Sequence, residues 1–119
     1  RMNPEDAQAR GIEHHDLIRA FNDRGALVCA ADLSPLTMAG VVSTFESCAE
    51  FDPLDRDGFT DRGGCANVLT PERRALEGTE MIAPNSCLVQ IEKWFGEAEG
   101  FQRPEAAPPA KSTGADSSR

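Results

Sequence analysis

The stretch LVCAA at residues 27–31 decides the fold class that the sequence predicts. It is a short apolar run bounded by Gly25 and Asp32, and its length is typical of a buried strand rather than a helix. One strand alone leaves its backbone N–H and C=O groups unpaired, so it needs a partner. Residues 87–95 are the best partner, and together the two segments predict a small sheet.

Residues 87–95 also fit a helix. Val89, Ile91 and Phe95 follow the alternation of a strand, whereas Leu88, Ile91 and Phe95 follow helical spacing. The strand is preferred because residues 27–31 need a partner, and an all-α domain is the alternative fold.

Two helices are predicted to flank the first strand. Asn3 and Pro4 form a cap-and-proline start for a helix over residues 4–23, and Ser34-Pro35 repeat that signal for a helix over residues 35–50. Each helix carries an apolar stripe of helical period. The stripes consist of His14, Leu17, Ile18 and Phe21, and of Met38, Val41, Val42, Phe45 and Ala49. The predicted fold is therefore a small α+β domain.

The 119 residues predict one globular, acidic domain over residues 1–101 and a disordered tail over residues 102–119. From Gln102 onward no apolar side chain is larger than alanine, so ordering the tail would cost entropy without burial. The sequence contains no run of about 18 apolar residues, which predicts a soluble chain with no membrane partner.

The charge excludes one class of function. The formal net charge is -8, and residues 1–101 hold 18 acidic against 9 basic residues. Direct binding of nucleic acid normally requires a basic face that releases counterions. No direct nucleic-acid partner is expected.

The four cysteines allow two interpretations. Their wide separation gives no C-x2-4-C pair of the kind that zinc sites use. In a secreted chain they would form two disulfides, and in the cytoplasm each would be a small buried hydrophobe. The preferred localisation is cytoplasmic, with secreted or periplasmic as the alternative. The cysteines concerned are Cys29, Cys48, Cys65 and Cys87.

No metal, cofactor or catalytic centre is predicted. His14 and His15 are neighbours that would point about 100° apart on a helix, which does not suit one shared ion. The Asp-rich loop resembles a calcium loop only in part, because Pro53 and Gly64 stand where its first and last ligands belong. Phosphate-binding, nucleophile-elbow and redox motifs are absent from the sequence. A small enzyme that uses a Cys or His residue is retained only as an alternative.

The preferred function rests on residues 46–61, which hold six acids and one base. Acidic side chains interleaved with apolar anchors can steer towards a basic surface and dock on it. The sequence therefore predicts a non-enzymatic acidic module of inhibitor, adaptor or immunity type, whose partner is a protein with a basic surface. A solvated loop with inward aromatics, and a secreted module stapled by disulfides, are the alternatives. The predicted binding residues are Glu46, Glu50, Asp52, Asp55, Asp57, Phe59 and Asp61.

Overall fold

The computed structural model describes residues 1–45, 50–71, 78 and 86–96. Over these residues the chain forms one short helix, four strands and a single 3-10 turn, and no helix among them is long and apolar enough to cross a membrane. In chain order they are α1 (Pro4–Ala9), β1 (Leu17–Phe21), β2 (Ala26–Ala30), β3 (Thr60–Asp61), the 3-10 turn η1 (Ala66–Val68) and β4 (Gln90–Lys93).

The four strands form one sheet in the order β3-β2-β1-β4. β1 and β2 are an antiparallel hairpin, β4 pairs antiparallel with the other edge of β1, and β3 adds parallel to β2. The centre of the sheet is therefore the hairpin, and both of its outer neighbours come from later in the sequence.

The core consists of two adjoining clusters. Cys29 and Ile91 pack against both, so they join the clusters across the sheet. One cluster is built from Met2, Ala7, Ile12, Ile18 and Ala31, and the other from Ala20, Leu27 and Leu69.

The predicted helix over residues 4–23 is wrong beyond its first turns. α1 ends after Ala9, and Gly11 adopts a left-handed φ of 66°. The N–H of Gly11 donates to the Gln8 carbonyl and that of Ile12 donates to the Ala7 carbonyl, a Schellman pair that closes the helix. The apolar residues beyond Gly11 become the central strand β1, because its two edges gain partners that no local pattern shows.

The predicted helix over residues 35–50 is also wrong in its described part. Gly40 has a φ of 78°, which an α-helix does not allow, and it lies in a turn where the Val41 N–H donates to the Met38 carbonyl. The amino-terminal segment provides other partners for the backbone here, since the Asn3 side chain donates to the Thr37 carbonyl. Residues 46–49 and the predicted tail lie outside the described residues.

The α+β prediction with two main helices, and its all-α alternative, are therefore replaced by a sheet with one short helix. The strand expected at residues 27–31 is found as β2, and β4 lies within residues 87–95. The two are not neighbours, because β1 lies between them.

Replacing Gly11 with alanine should lower the free energy of unfolding by about 1 kcal/mol, because only the left-handed backbone opposes a side chain there. A Cβ at Gly11 would meet no atom within 4 Å. Asparagine tolerates the left-handed region, so Gly11→Asn should lose less stability. Equal losses for the two variants in urea unfolding would contradict this role of Gly11.

Candidate functional site

The acidic loop is organised around Asp61, whose side chain is fully buried. One carboxylate oxygen accepts from the N–H groups of Asp52 (2.7 Å) and Gly63 (3.1 Å), and the other accepts from that of Cys65 (2.7 Å). A Cβ on Gly63 would overlap the Glu50 carbonyl, so the two sides of the loop lie in close contact. Asp61 thus holds the loop closed and presents no charge to a partner.

Two more of the predicted acidic residues bond within the same loop. Asp52 forms an ion pair of 2.7 Å with Arg62. One oxygen of Asp55 accepts the N–H groups of Phe59 at 2.8 Å and Thr60 at 3.3 Å. Glu50, Asp57 and Phe59 are exposed, and Glu46 lies outside the described residues. The loop is internally bonded rather than a uniform acidic docking face.

The hydrogen bonds at Asp55 have an electrostatic consequence. Desolvation of this carboxyl acts to raise its pKa, but the bonds from Thr60 and Phe59 outweigh that effect and lower the pKa below its ordinary value. Hydrogen bonds to the charged form thus keep the Asp55 carboxylate ionised at a lower pH than an ordinary aspartate.

Cys29, Cys65 and Cys87 are free, partly buried thiols, and Cys48 lies outside the described residues. Burial raises the pKa of the Cys29 thiol, which opposes formation of the nucleophilic thiolate. The pairing of the four cysteines stays a prediction.

The two histidines stack on each other, with ring centroids 3.8 Å apart. The Nδ1 atom of His14 accepts a hydrogen bond from the Leu33 N–H at 3.0 Å, so this nitrogen is already occupied by the backbone. Where the structure describes the chain, no three His, Cys, Asp or Glu side chains are placed to hold a metal ion.

A polar corner forms where the β1–β2 turn meets η1 and the start of β4. The Asn22 side-chain amide donates to the Leu69 carbonyl (2.9 Å) and to the Leu88 carbonyl (3.2 Å), while its oxygen accepts the Arg24 N–H. A Cβ on Gly25 would lie 2.7 Å from the Val68 carbonyl oxygen, so only glycine lets the turn approach η1 this closely. Three segments distant in sequence are thereby fixed together.

Two side chains at this corner have donors without a partner in the described part of the chain. The Nε of Arg24 donates to the Leu69 carbonyl at 2.9 Å, whereas its two terminal nitrogens make no ion pair with any carboxylate in residues 1–45, 50–71 or 86–96. Asn67 is exposed on η1, and its side chain has no hydrogen-bond partner within the same part of the chain. The neighbouring Thr70 hydroxyl donates to the Asn67 carbonyl at 3.2 Å. We call Arg24, Asn67 and Thr70 the donor corner.

Two shallow depressions elsewhere on the surface are weaker candidates for a ligand site. One of about 590 Å³ is lined by Arg10, Lys93 and Trp94, and another of about 680 Å³ by His14 and Lys93. Lys93 pairs with Asp16. Arg10, like Arg24, donates to one backbone carbonyl and forms no ion pair with a described carboxylate, but it does not lie where distant segments are joined by hydrogen bonds. The donor corner is therefore the better candidate for a ligand.

An exposed guanidinium on segments that are joined by hydrogen bonds can bind an anionic ligand. The comparisons identify the family. The model of the Molydopterin dinucleotide binding domain family matches residues 1–97, and the chain belongs to this family.

Curated relatives agree with that assignment. The pyrogallol hydroxytransferase large subunit of Pelobacter acidigallici is 49% identical over 98 residues, which is 82% of this chain and 11% of that protein. The trimethylamine-N-oxide reductase of Haemophilus influenzae is 37% identical over 114 residues, 87% of this chain and 13% of the relative. DmsA, the dimethyl sulfoxide reductase of Escherichia coli, is 43% identical over 94 residues, 77% of this chain and 11% of the relative. The chain thus spans 11–13% of the length of these relatives.

The family assignment overturns the predicted inhibitor, adaptor or immunity-type module. That prediction read the acidic loop as a docking face and missed the donor corner. Asn22 lies within the predicted helix over residues 4–23, and neither Arg24 nor Asn67 was among the predicted site residues. The available signal was the Asn-Asp-Arg-Gly turn itself, which is typical of a hairpin when strands flank it.

Replacing Asp61 with asparagine should lower the free energy of unfolding by about 3 kcal/mol, because the amide would turn a donor towards the N–H of Cys65. The matched control is Asp57→Asn, the same chemical change on an exposed side chain. Urea unfolding should separate the two variants, and equal losses would show that the buried carboxylate does not hold the loop.

The lowered pKa of Asp55 predicts an acid-dependent contribution to stability. That contribution is fully present above the pKa of the unfolded chain and is lost as the pH falls through the lower folded value. Asp55→Asn should therefore differ from the parent in urea midpoint at neutral pH and converge with it in strong acid. An NMR titration giving Asp55 a higher pKa in the folded chain than in urea would contradict the assignment.

Proposed function

We propose that this chain forms one wall of the dinucleotide site in a subunit of a molybdopterin-dependent oxidoreductase. Family membership supports the ligand class, and the names of the relatives, which include reductases and a hydroxytransferase, support the enzyme class. Because the chain spans 11–13% of those relatives, the other walls of the site would come from further polypeptide.

The donor corner has the chemistry that such a ligand requires. A dinucleotide carries phosphate oxygens, which accept well from a guanidinium, and ring edges that pair with amides. Arg24 would hold a phosphate through its terminal nitrogens while its Nε stays on the Leu69 carbonyl. Asn67 and Thr70 would contact the ring or sugar edges. When bound, the molybdenum-carrying group supplies the redox chemistry, and these residues supply binding and orientation.

The net negative charge of the chain limits where an anionic ligand can bind. With a net charge of -8, the chain as a whole repels an anionic ligand. A phosphate must therefore be met where a cation is not already neutralised. Arg1, Arg19, Arg62 and Lys93 all pair with carboxylates. Among the described residues, Arg10, Arg24 and Arg56 form no such pair, and of these Arg24 is the one at the corner where Asn22 joins three segments. Its guanidinium, held at Nε by the Leu69 carbonyl, is the observation that carries the proposal.

The geometry around Arg24 also limits its motion. Its backbone N–H donates to the Asn22 side chain, which fixes the turn, and its Nε donates to the carbonyl of Leu69, the residue after η1, which orients the guanidinium. A donor held in place before binding loses less conformational entropy when the ligand arrives. A lysine at this position would keep the charge but lose the forked geometry.

The test replaces the matching segment of the Pelobacter acidigallici subunit with this chain and measures molybdenum and pterin per purified protein. Arg24→Ala combined with Asn67→Ala should lower both contents about tenfold or more, because each group contributes about 1–3 kcal/mol to a charged or buried contact. Arg56→Ala is the matched control, since Arg56 is also exposed.

The control should retain the molybdenum and pterin of the unsubstituted chimera. A chimera that loses cofactor equally with Arg56→Ala, or that keeps full cofactor without Arg24 and Asn67, would overturn the proposed site. Arg24→Lys separates charge from geometry, and we expect it to restore only part of the cofactor content.

A further inference from the structure

The turn between α1 and β1 brings two histidine rings together. His15 has a left-handed φ of 68°, a conformation that residues other than glycine seldom adopt. Its N–H donates to the carbonyl of Ala31, the residue after β2, at 2.7 Å, and this bond holds the strained turn in place. The ring of His15 lies 3.8 Å from that of His14. The turn thus fixes both histidines beside the end of β2.

One nitrogen of His14 forms a backbone contact that depends on protonation. Its Nδ1 accepts a hydrogen bond from the Leu33 N–H at 3.0 Å. An imidazole nitrogen accepts only while it carries no proton, so this bond requires the neutral ring with its proton on Nε2. A proton on Nδ1 would make two donors face each other. The bond is therefore lost when the ring becomes cationic, and histidine side chains in general change charge between about pH 5 and pH 8.

The cationic ring would find another partner beside the same nitrogen. The Oδ1 atom of Asp32 lies 3.9 Å from Nδ1 of His14, while the Oδ2 atom accepts from Nε of Arg1 at 2.9 Å. One carboxylate can thus hold both cations, with one on each oxygen. The exchange at Nδ1, from the Leu33 N–H to the Asp32 carboxylate, needs only a local movement.

The other charged groups around His14 come from its own turn and from β4. Lys93 and the exposed Glu13 line the same shallow depression as His14, and Lys93 pairs with Asp16 at 3.0 Å. The second titratable ring is that of His15, and two cations at that spacing would repel each other. Of the two rings, that of His14 accepts the Leu33 N–H, so the contact reports on His14.

The segment that contains Leu33 lies between His14 and the amino-terminal segment. Met2 bonds to it from the opposite edge, because the Met2 N–H donates to the Asp32 carbonyl and the Ser34 N–H donates to the Met2 carbonyl. Met2 also bridges to Val42, further along the chain. Loss of the His14 contact would therefore leave residues 32–34 held from one edge where they are now held from two.

We propose that His14 is an acid-sensitive contact of the fold: a proton taken from solvent onto Nδ1 breaks the Leu33 bond, forms an ion pair with Asp32 and loosens the segment that follows β2. This inference goes beyond the proposed function. The donor corner lies at the β1–β2 turn, whereas His14 precedes β1 and Leu33 follows β2, at the other end of the hairpin. Failure of either proposal would leave the other standing.

The Leu33 amide of the 119-residue chain is the reporter. Hydrogen exchange followed by NMR, corrected for the intrinsic pH dependence of exchange, gives the protection of each amide. As the His14 ring becomes protonated, protection at Leu33 should fall about tenfold, because the amide loses its hydrogen bond. The fall should share its midpoint with the ring resonances of His14. The Ala31 amide donates to the Asp16 carbonyl and, as the internal control, should keep its protection.

Three single substitutions test the parts of the proposal. Asparagine carries a carbonyl oxygen where histidine carries Nδ1, so His14→Asn offers an acceptor that does not titrate, and Leu33 protection should become independent of pH. His15→Asn is the matched control, since asparagine tolerates the left-handed backbone and His14 is retained; it should keep the loss in acid. In Asp32→Asn the loss should need a more acidic solution, because the cationic ring has no carboxylate partner.

Constant Leu33 protection while the His14 ring titrates would overturn the proposal, and so would a loss in acid that persists in His14→Asn. An equal loss at Ala31 would also overturn it, since acid would then unfold the sheet rather than release one bond. A transition that is unchanged in Asp32→Asn would contradict the ion pair with Asp32.

Discussion

The side chain of Asn22 is the contact on which the arrangement of the site depends. Its amide reaches the Leu69 carbonyl, 47 residues away, and the Leu88 carbonyl, 66 residues away. These two bonds join the hairpin turn to η1 and to the approach of β4. Since η1 carries Asn67 and the turn carries Arg24, the relative position of both donors follows from one amide.

Electrostatics explains how a strongly acidic chain can present a site for an anion. Several described carboxylates form ion pairs or hydrogen bonds within the chain. Asp61 closes a loop, Asp52 and Asp32 pair with arginines, and Asp55 accepts two backbone N–H groups. The net charge therefore says little about the local field. A binding site depends on the charges that are left unpaired near it and on the dipoles around them.

The apolar residues of the described chain lie partly in the core and partly on the surface. The sheet buries a thin core that consists mostly of small and medium side chains, while several of the largest apolar side chains lie on the surface. A domain that folds alone would be expected to bury its largest hydrophobes first, since each contributes about 1.5–3 kcal/mol. Their exposure leaves an apolar surface on the described part of the chain.

The sequence by itself determined the start of α1, through Asn3 and Pro4, and the strand at residues 26–30, because caps and short apolar runs act locally. It also singled out Met38, Val41, Val42 and Phe45 as an apolar set, although it assigned them to a helix. Only the tertiary structure decided that residues 17–21 form the central strand, because their partners include Gln90–Lys93, far along the chain. The donor corner was decided in the same way, since Asn22 and Arg24 reach the Leu69 carbonyl, two residues after Asn67, through long-range hydrogen bonds that no local spacing encodes.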